Sequence, residues 1–421
     1  MSMPQLRRCR ELHGNPKSAC RNKNKARRYL VGKFTKALAF SLSLFNGRAA
    51  AFHFAPSDVP VNSTTNVTTV DPQNDSTPIQ LTVVNSCGES IWPGIVTQNG
   101  IAPAAGGYKL TPGTSRMMFV SADWAGRIWG RTNCSFNSDG SGPSTFNGVN
   151  GHGAACLTGD CLGKLNYEFA GQVPTTLAEF TLQGGDANDQ TFYDISLVDG
   201  YNLPLAIIYH PAPNTTWIPP NLTNCACIAS AGYLTPSSST SIHPSPDPAA
   251  LNTNNTYPMP YEPLQTNSTI QTWCPLYLQQ SPPHNKPEEE EPQEPIEPGT
   301  SPSPNSTTTT TTTTPPPTFH PCLSPCSATR DPAACCTGPY STPETCSPTL
   351  YARRAKRVCP DAYSFAYDDR ASTFVVPAGG GWEVRFCPRG RSTDILRAFG
   401  DEVRAVGAGR GLSEEGWGRI S

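Results

Sequence analysis

Charge is scarce in this chain, and long apolar runs are absent. Only 15% of the residues are Asp, Glu, Lys or Arg, and no stretch of 18 or more apolar residues occurs; the second absence excludes a membrane-spanning helix on length alone. Gly106-Gly107 and Gly379 to Gly381 are Gly-rich turns, but neither has the spacing of a phosphate-cradling loop. The histidines of the region beyond the amino terminus, His53, His152, His210, His243, His284 and His320, fall mostly in loop-like sequence with no nucleophile motif beside them. Ser/His/Asp and Cys/His catalysis therefore find no support. Between Pro78 and about Cys227 no apolar pattern of period 3.6 reaches helical length. Strands do not alternate with helices there, which argues against parallel-sheet folds.

What the chain has in excess is cysteine and proline. Its 421 residues include 16 Cys, 44 Pro and 35 Gly, a mix that leaves much of the length outside a packed core. Pairs and clusters such as Cys225/Cys227, Cys322/Cys326 and Cys335-Cys336 read as a disulfide framework in a secreted protein. In an oxidising compartment disulfides outcompete a zinc site, so neither metal nor cofactor is expected. The formal charge of −2 conceals an asymmetry: residues 1–36 hold eleven Lys/Arg against Glu11, a local +10, so the remainder sums to −12. An acidic mature protein is a poor partner for nucleic acid.

The basic start, the apolar run Ala37 to Phe45 and the small residues Ala49 to Ala51 read as the three regions of a signal peptide, and residues 1–51 are assigned to it. The alternative is a basic tail on an intracellular protein, against which the cysteines argue. Sequons at Asn62, Asn66, Asn74, Asn133, Asn214, Asn221, Asn254, Asn267 and Asn305 support export, and residues 52–77 read as a glycosylated linker. Asn133 is the weakest of them, being next to Cys134.

From Pro78 onward Ile79, Leu81 and Val83 alternate, Met117 to Phe119 and Ile128-Trp129 form short apolar runs, and Gly, Pro, Asn and Asp punctuate the chain every 8 to 12 residues. That spacing is of a β-sandwich or barrel. Residues 228–273 and 275–321 interrupt it, the second with the acidic block Glu288 to Glu291 and the threonine run Thr307 to Thr314. Both read as disordered low-complexity inserts that bury too little apolar surface to order themselves. Pro348 to Val358 is a predicted helix, and Ile395 to Val406 a short amphipathic piece of a tail, residues 391–421, to which no role is given.

Four motifs in order are specific: Cys156-Leu-Thr-Gly-Asp-Cys161, Pro174-Thr-Thr-Leu-Ala-Glu-Phe180, Asp194-Ile-Ser-Leu-Val-Asp199-Gly-Tyr-Asn and Cys359-Pro-Asp-Ala-Tyr-Ser-Phe-Ala-Tyr-Asp-Asp369. With Val84-Asn-Ser-Cys87, Gly126 to Cys134 and Val384 to Pro388, they make the chain resemble the thaumatin-like proteins over residues 78–390. The resemblance implies a mainly β fold: an antiparallel β-sandwich, a disulfide-rich loop and helix lobe, and a cleft between them. It also implies the pairs Cys87–Cys387, Cys134–Cys156, Cys227–Cys359, Cys274–Cys322, Cys326–Cys335 and Cys336–Cys346. The family's partners for Cys161 and Cys225 are replaced by Tyr167 and Val376, so these two thiols pair with each other, stay free or bond another molecule.

The residues matching the family's cleft are Arg127, Glu179, Asp194, Asp199 and Asp368, with Asp369 next to the last and able to exchange roles with it. Clustered carboxylates offer acceptors to sugar hydroxyls and raise one another's pKa. The implied function is a secreted, monomeric protein of the extracellular space or cell wall that binds β-1,3-glucan in wall remodelling or defence. The alternative is an endo-β-1,3-glucanase with Glu179 as acid and Asp199 or Asp194 as partner. Tyr193, Tyr201, Trp129 and Tyr363 lie near these motifs in sequence as stacking aromatics.

Overall fold

In the computed structural model, residues 78–146, 149–150, 153–166, 170–212, 217–234, 257–263, 265–280 and 321–421 are described. The signal peptide and linker readings lie outside them. Twelve strands are present among these residues: β1 (Ile79–Asn85), β2 (Trp92–Asn99), β3 (Ser115–Val120), β4 (Ala125–Arg131), the short pair β5 (Thr145–Phe146) and β6 (Val149–Asn150), β7 (Leu177–Gly184), β8 (Gln190–Ser196), β9 (Leu205–His210), β10 (Cys225–Cys227), β11 (Phe374–Pro377) and β12 (Gly381–Phe386). One five-stranded sheet runs β10-β9-β12-β1-β3, the other β11-β8-β7-β4-β2. All pairs are antiparallel except β1 with β12, which run parallel.

The alternation read in β1 holds: Ile79, Leu81 and Val83 are buried while Gln80 is exposed, as the period of two requires. The core closes where aromatic rings of the two sheets meet. Trp382 of β12 lies 5.3 Å from Phe180 of β7 and 4.6 Å from Tyr193 of β8, ring centre to ring centre, within the range where aromatic pairs attract. Trp129 and Tyr201 are buried too, and Tyr363 almost so. The four aromatics expected to stack on sugar are therefore packing residues.

Six short helices were found among the described residues: α1 (Asn267–Thr272), α2 (Pro325–Thr329), α3 (Pro332–Cys335), α4 (Leu350–Val358), α5 (Ile395–Gly407) and α6 (Glu414–Ile420). Helix α4 starts where Thr349 accepts from the Ala352 N–H, a standard N-cap that sets the boundary two residues inside the predicted Pro348. All six disulfides implied by the resemblance form. Cys161 and Cys225 are free and buried. They cannot meet: Cys161 packs with Trp129 and Leu177, and Cys225 lies in β10 within the main core. Burial pushes the Cys161 thiol up to about 11.

Two boundaries differ from the sequence reading. Residues 228–234 and 257–280, assigned to inserts, carry buried Ile228, Ala229, Met259, Ile270 and Trp273, so apolar residues sparse in the text still converge on the core. Residues 391–421 are not a loose tail. Helix α5 packs on β11, and Ile395, Val403 and Ile420 are buried. Asp394 precedes α5 without capping it; instead Asp361, from the Cys359-Pro-Asp motif, accepts the N–H groups of Ile395 at 2.8 Å and Leu396 at 2.9 Å. Tyr261 bridges Thr393, and Arg391 reaches Glu262, so residues 257–263 and the terminal segment fold together.

The described residues that flank 281–320 are joined to each other. The Gln280 N–H donates to the Pro321 carbonyl at 2.8 Å, and Gln279 bridges Cys322. Loop-closure entropy changes slowly with length, about 0.6 kcal/mol per doubling. Replacing residues 283–318 by a short Gly-Ser link should therefore shift stability by no more than about 1–2 kcal/mol in a denaturant titration.

One sequon is excluded by packing. Asn221, Leu222 and Thr223 are all buried, and the Asn221 amide donates to the Ile420 carbonyl at 2.8 Å. A glycan on that nitrogen could not coexist with a docked α6. Glycopeptide mapping should find Asn221 unmodified in the folded protein.

Candidate functional site

The cleft residues are set by strand register. Arg127 of β4 stands opposite Glu179 of β7, and Glu179 stands opposite Asp194 of β8. Their neighbours Ile128, Phe180 and Tyr193 point into the core, so the alternation turns Arg127, Glu179 and Asp194 to the outer face as one cross-strand row. Arg127 Nε lies 3.4 Å from Glu179 Oε1. Asp194 is partly exposed as a residue, yet its Oδ1 is sealed from solvent and meets no hydrogen-bond donor among the described residues. Burial raises its pKa well above the carboxylate range; Glu179 adds to the rise, Arg127 opposes it, and Asp369 contributes a further push.

Asp199 arrives from a different direction, on the turn after β8. The Gly200 N–H donates to the Leu197 carbonyl. Gly200 sits at φ +95°, where a Cβ would come within 2.4 Å of the Cys322 carbonyl oxygen and 2.8 Å of Pro174, so only glycine fits. Asp199-Gly200 is a tight turn, and it places the Asp199 carboxyl within electrostatic reach of Arg127 and Glu179. Burial raises the Asp199 pKa, Glu179 adds to this, and Arg127 and Arg330 oppose it. Arg330, in the left-handed conformation that ends α2, thus brings a cation from the disulfide lobe towards the sheet. No motif marks it, because its place is set by the end of α2 and the Cys326–Cys335 disulfide.

The structure exchanges the two adjacent acids. Asp368 Oδ2 accepts from the Ser364 N–H and hydroxyl and pairs with Lys356 at 3.0 Å, so it anchors its own loop. Asp369 is the one coupled to Asp194. Its pKa is raised by burial and by Asp368, against the hydrogen bond at 3.0 Å from the Tyr363 hydroxyl. Tyr367, partly exposed and electrostatically coupled to Asp369 and Glu344, is the aromatic this rim offers in place of the buried four. Of the three carboxyls named for catalysis, Asp194 and Asp199 are raised, whereas Glu179 is the partner of Arg127.

These shifts have a stability consequence. A carboxyl raised in the folded state binds more protons folded than unfolded. Its stabilisation is complete below the ordinary carboxylate pKa and is lost as pH rises through the folded value. Asp194, Asp199 and Asp369 all act in this sense. Asp194→Asn should therefore flatten the fall in stability as pH rises above the ordinary carboxylate range, read as denaturant midpoint against pH.

Two five-stranded sheets and six disulfides, with Arg127, Glu179 and Asp194 in one cross-strand row, define the class: a disulfide-rich β-sandwich protein. The family model described as "Thaumatin family" matches residues 85–388, and the chain belongs to that family. Pathogenesis-related thaumatin-like protein 3.5 of Cryptomeria japonica is 32% identical over 309 residues, 73% of this chain and 89% of its own. Pathogenesis-related protein 5 of Arabidopsis thaliana is 31% identical over 307 residues, 73% and 89% of the two chains. Among solved structures, a thaumatin-like xylanase inhibitor is 30% identical over 30% of this chain and 74% of its own, TM-score 0.23. A family 64 laminaripentaose-producing β-1,3-glucanase from Paenibacillus barengoltzii is 14% identical over 78% and 80%, TM-score 0.31. The family match ends at Pro388, so α5 and α6 lie beyond it.

Proposed function

We propose that this is a secreted wall-polysaccharide-binding protein that holds β-1,3-glucan along the row Arg127, Glu179 and Asp194, with Asp199 and Asp369 on its flanks. The observation that carries the reading is the row itself: three polar side chains in cross-strand register on an otherwise packed sheet. Glu179 keeps 30% side-chain exposure, which leaves acceptor capacity for sugar hydroxyls. Six disulfides support an oxidising, extracellular setting.

Binding without cleavage is favoured over hydrolysis. A glycosidase needs a protonated carboxyl in contact with the leaving oxygen. The acid most strongly raised here, Asp194, has its Oδ1 sealed from solvent. The test is retention on insoluble β-1,3-glucan in high salt, with new reducing ends assayed from soluble glucan and Glu179→Gln run in parallel. Salt-resistant retention without reducing ends is the expected result. Release by the parent and not by Glu179→Gln would make the protein an endo-β-1,3-glucanase. Retention lost in salt would mean charge attraction only.

A further inference from the structure

Lys356 lies near the carboxyl end of α4, where a cation usually faces water and complements the helix dipole. This one turns inward. Its ammonium lies 3.0 Å from Asp368 Oδ2 and donates to the Ala362 carbonyl at 3.0 Å, the Ala371 carbonyl at 3.0 Å and the Ser372 hydroxyl at 2.6 Å. Four acceptors for three N–H groups leave no donor idle. The acceptors come from the start, the middle and the end of a single loop, residues 362–372, which runs from the Cys359-Pro-Asp motif to β11. That loop carries Tyr363 and Asp369, the two groups that face Asp194 electrostatically.

The loop is also held from within: Asp369–Ala371 form a 3-10 turn, the Ser372 and Thr373 N–H groups donate to the Asp369 carbonyl, and the Tyr363 hydroxyl donates to Asp369 Oδ1 at 3.0 Å. Asp368 is bonded to Ser364 inside it, and Tyr363 OH reaches Thr373 at its end. From outside, the Tyr363 N–H donates to the Ile195 carbonyl, and Ser196 bridges Tyr363. These contacts tie the loop's beginning to β8, and the Tyr363 hydroxyl carries that anchorage to Asp369, while Lys356 ties the loop's middle and end to α4.

Resting on the glucan-cleft reading, we infer that Lys356 is a positioning residue of the cleft: by tying three points of one loop to α4 it holds Asp369 against the Glu179–Asp194 row. Lysine suits the task because a compact point charge on a four-carbon stem can be surrounded, whereas a planar guanidinium demands a fork of acceptors. Residues touching polysaccharide would be Glu179 and Asp369; Lys356 acts through them.

The test needs no sugar. Asp369 and Asp194 are followed by carbon NMR of their carboxyl groups against pH in the full-length protein and in Lys356→Met, with circular dichroism to verify folding. If Lys356 positions the loop, its loss opens the loop to water, and the Asp369 midpoint falls towards the ordinary carboxylate value. A purely electrostatic role has the opposite sign, since removing a cation raises a neighbouring carboxyl. An unchanged or raised midpoint in folded Lys356→Met overturns the inference. Should that variant fail to fold, Ser372→Ala, which deletes one acceptor, decides in the same way: a lowered midpoint supports the inference and an unchanged one overturns it. Glucan retention measured on the same samples keeps the two readings apart. A parent protein that retains no glucan removes the glucan reading while the NMR result still judges Lys356.

Discussion

Removing residues 391–421 should abolish folding, although every cysteine and every family motif remains. The truncation strips away Ile395, Val403 and Ile420, each almost fully buried. At about 1.5–3 kcal/mol per buried aliphatic side chain, their loss alone is worth roughly 5–9 kcal/mol, comparable with the whole stability of a typical domain, about 5–15 kcal/mol. The truncation also leaves buried polar groups stranded. Asp361 loses the two N–H groups that satisfy it, Glu262 loses Arg391, and the Asn221 amide loses the Ile420 carbonyl. The edge strand β11, against which α5 packs, would be uncovered, and a bare edge invites pairing with other chains. The measurement is secretion yield with limited proteolysis of any soluble product. A trimmed protein with the parental melting temperature would show that the extension only decorates the fold. The single substitution Ile395→Ala should cost about 2–5 kcal/mol, as cavities at buried aliphatic sites do.

Arg127→Leu should produce the largest change in the cleft. Arg127 is nearly buried and is the cation next to Glu179, directly in register with it. Breaking a fully buried pair costs about 3–5 kcal/mol, and since Glu179 stays partly exposed a value of about 2–3 kcal/mol is expected. The pH response should change as well. Arg127 holds down the pKa of both Asp194 and Asp199, so both midpoints should move up when it is replaced. Glucan retention should be lost at the same time. Intact retention together with unmoved midpoints would show that the row neither binds sugar nor depends on its cation.

Much of this arrangement was legible before any coordinates. Alternating Ile79, Leu81 and Val83 report a strand because side chains on a strand change face at each residue. The members of the carboxylate row were implied by the resemblance to the thaumatin-like proteins, and strand register is what makes Arg127, Glu179 and Asp194 neighbours. Three things were hidden, each for a physical reason. Asp368 and Asp369 have the same chemistry and differ only in which of them Lys356 captures, a contact made across elements. Aromatic residues adjacent to acids along a strand point to the opposite face, which is why Tyr193 joins the core while Asp194 lies outside it. The terminal segment looked dispensable because α5 borrows its cap from Asp361, over thirty positions earlier in the chain, and local sequence rules see only neighbouring caps.

The parallel pairing of β1 with β12 governs when the fold can form. Strand β12 is the middle of its sheet; without it the remaining strands fall into two separate pairs, β10 with β9 and β1 with β3. The partner that completes β1 arrives some 300 residues later, where Cys387 closes on Cys87. Chains usually fold from the amino terminus as they emerge, but here β1 must wait for a strand synthesised some 300 residues later. A stalled or prematurely terminated chain therefore exposes an unfinished sheet, and cellular quality control would meet this protein as a late, all-at-once folder whose contacts are predominantly non-local.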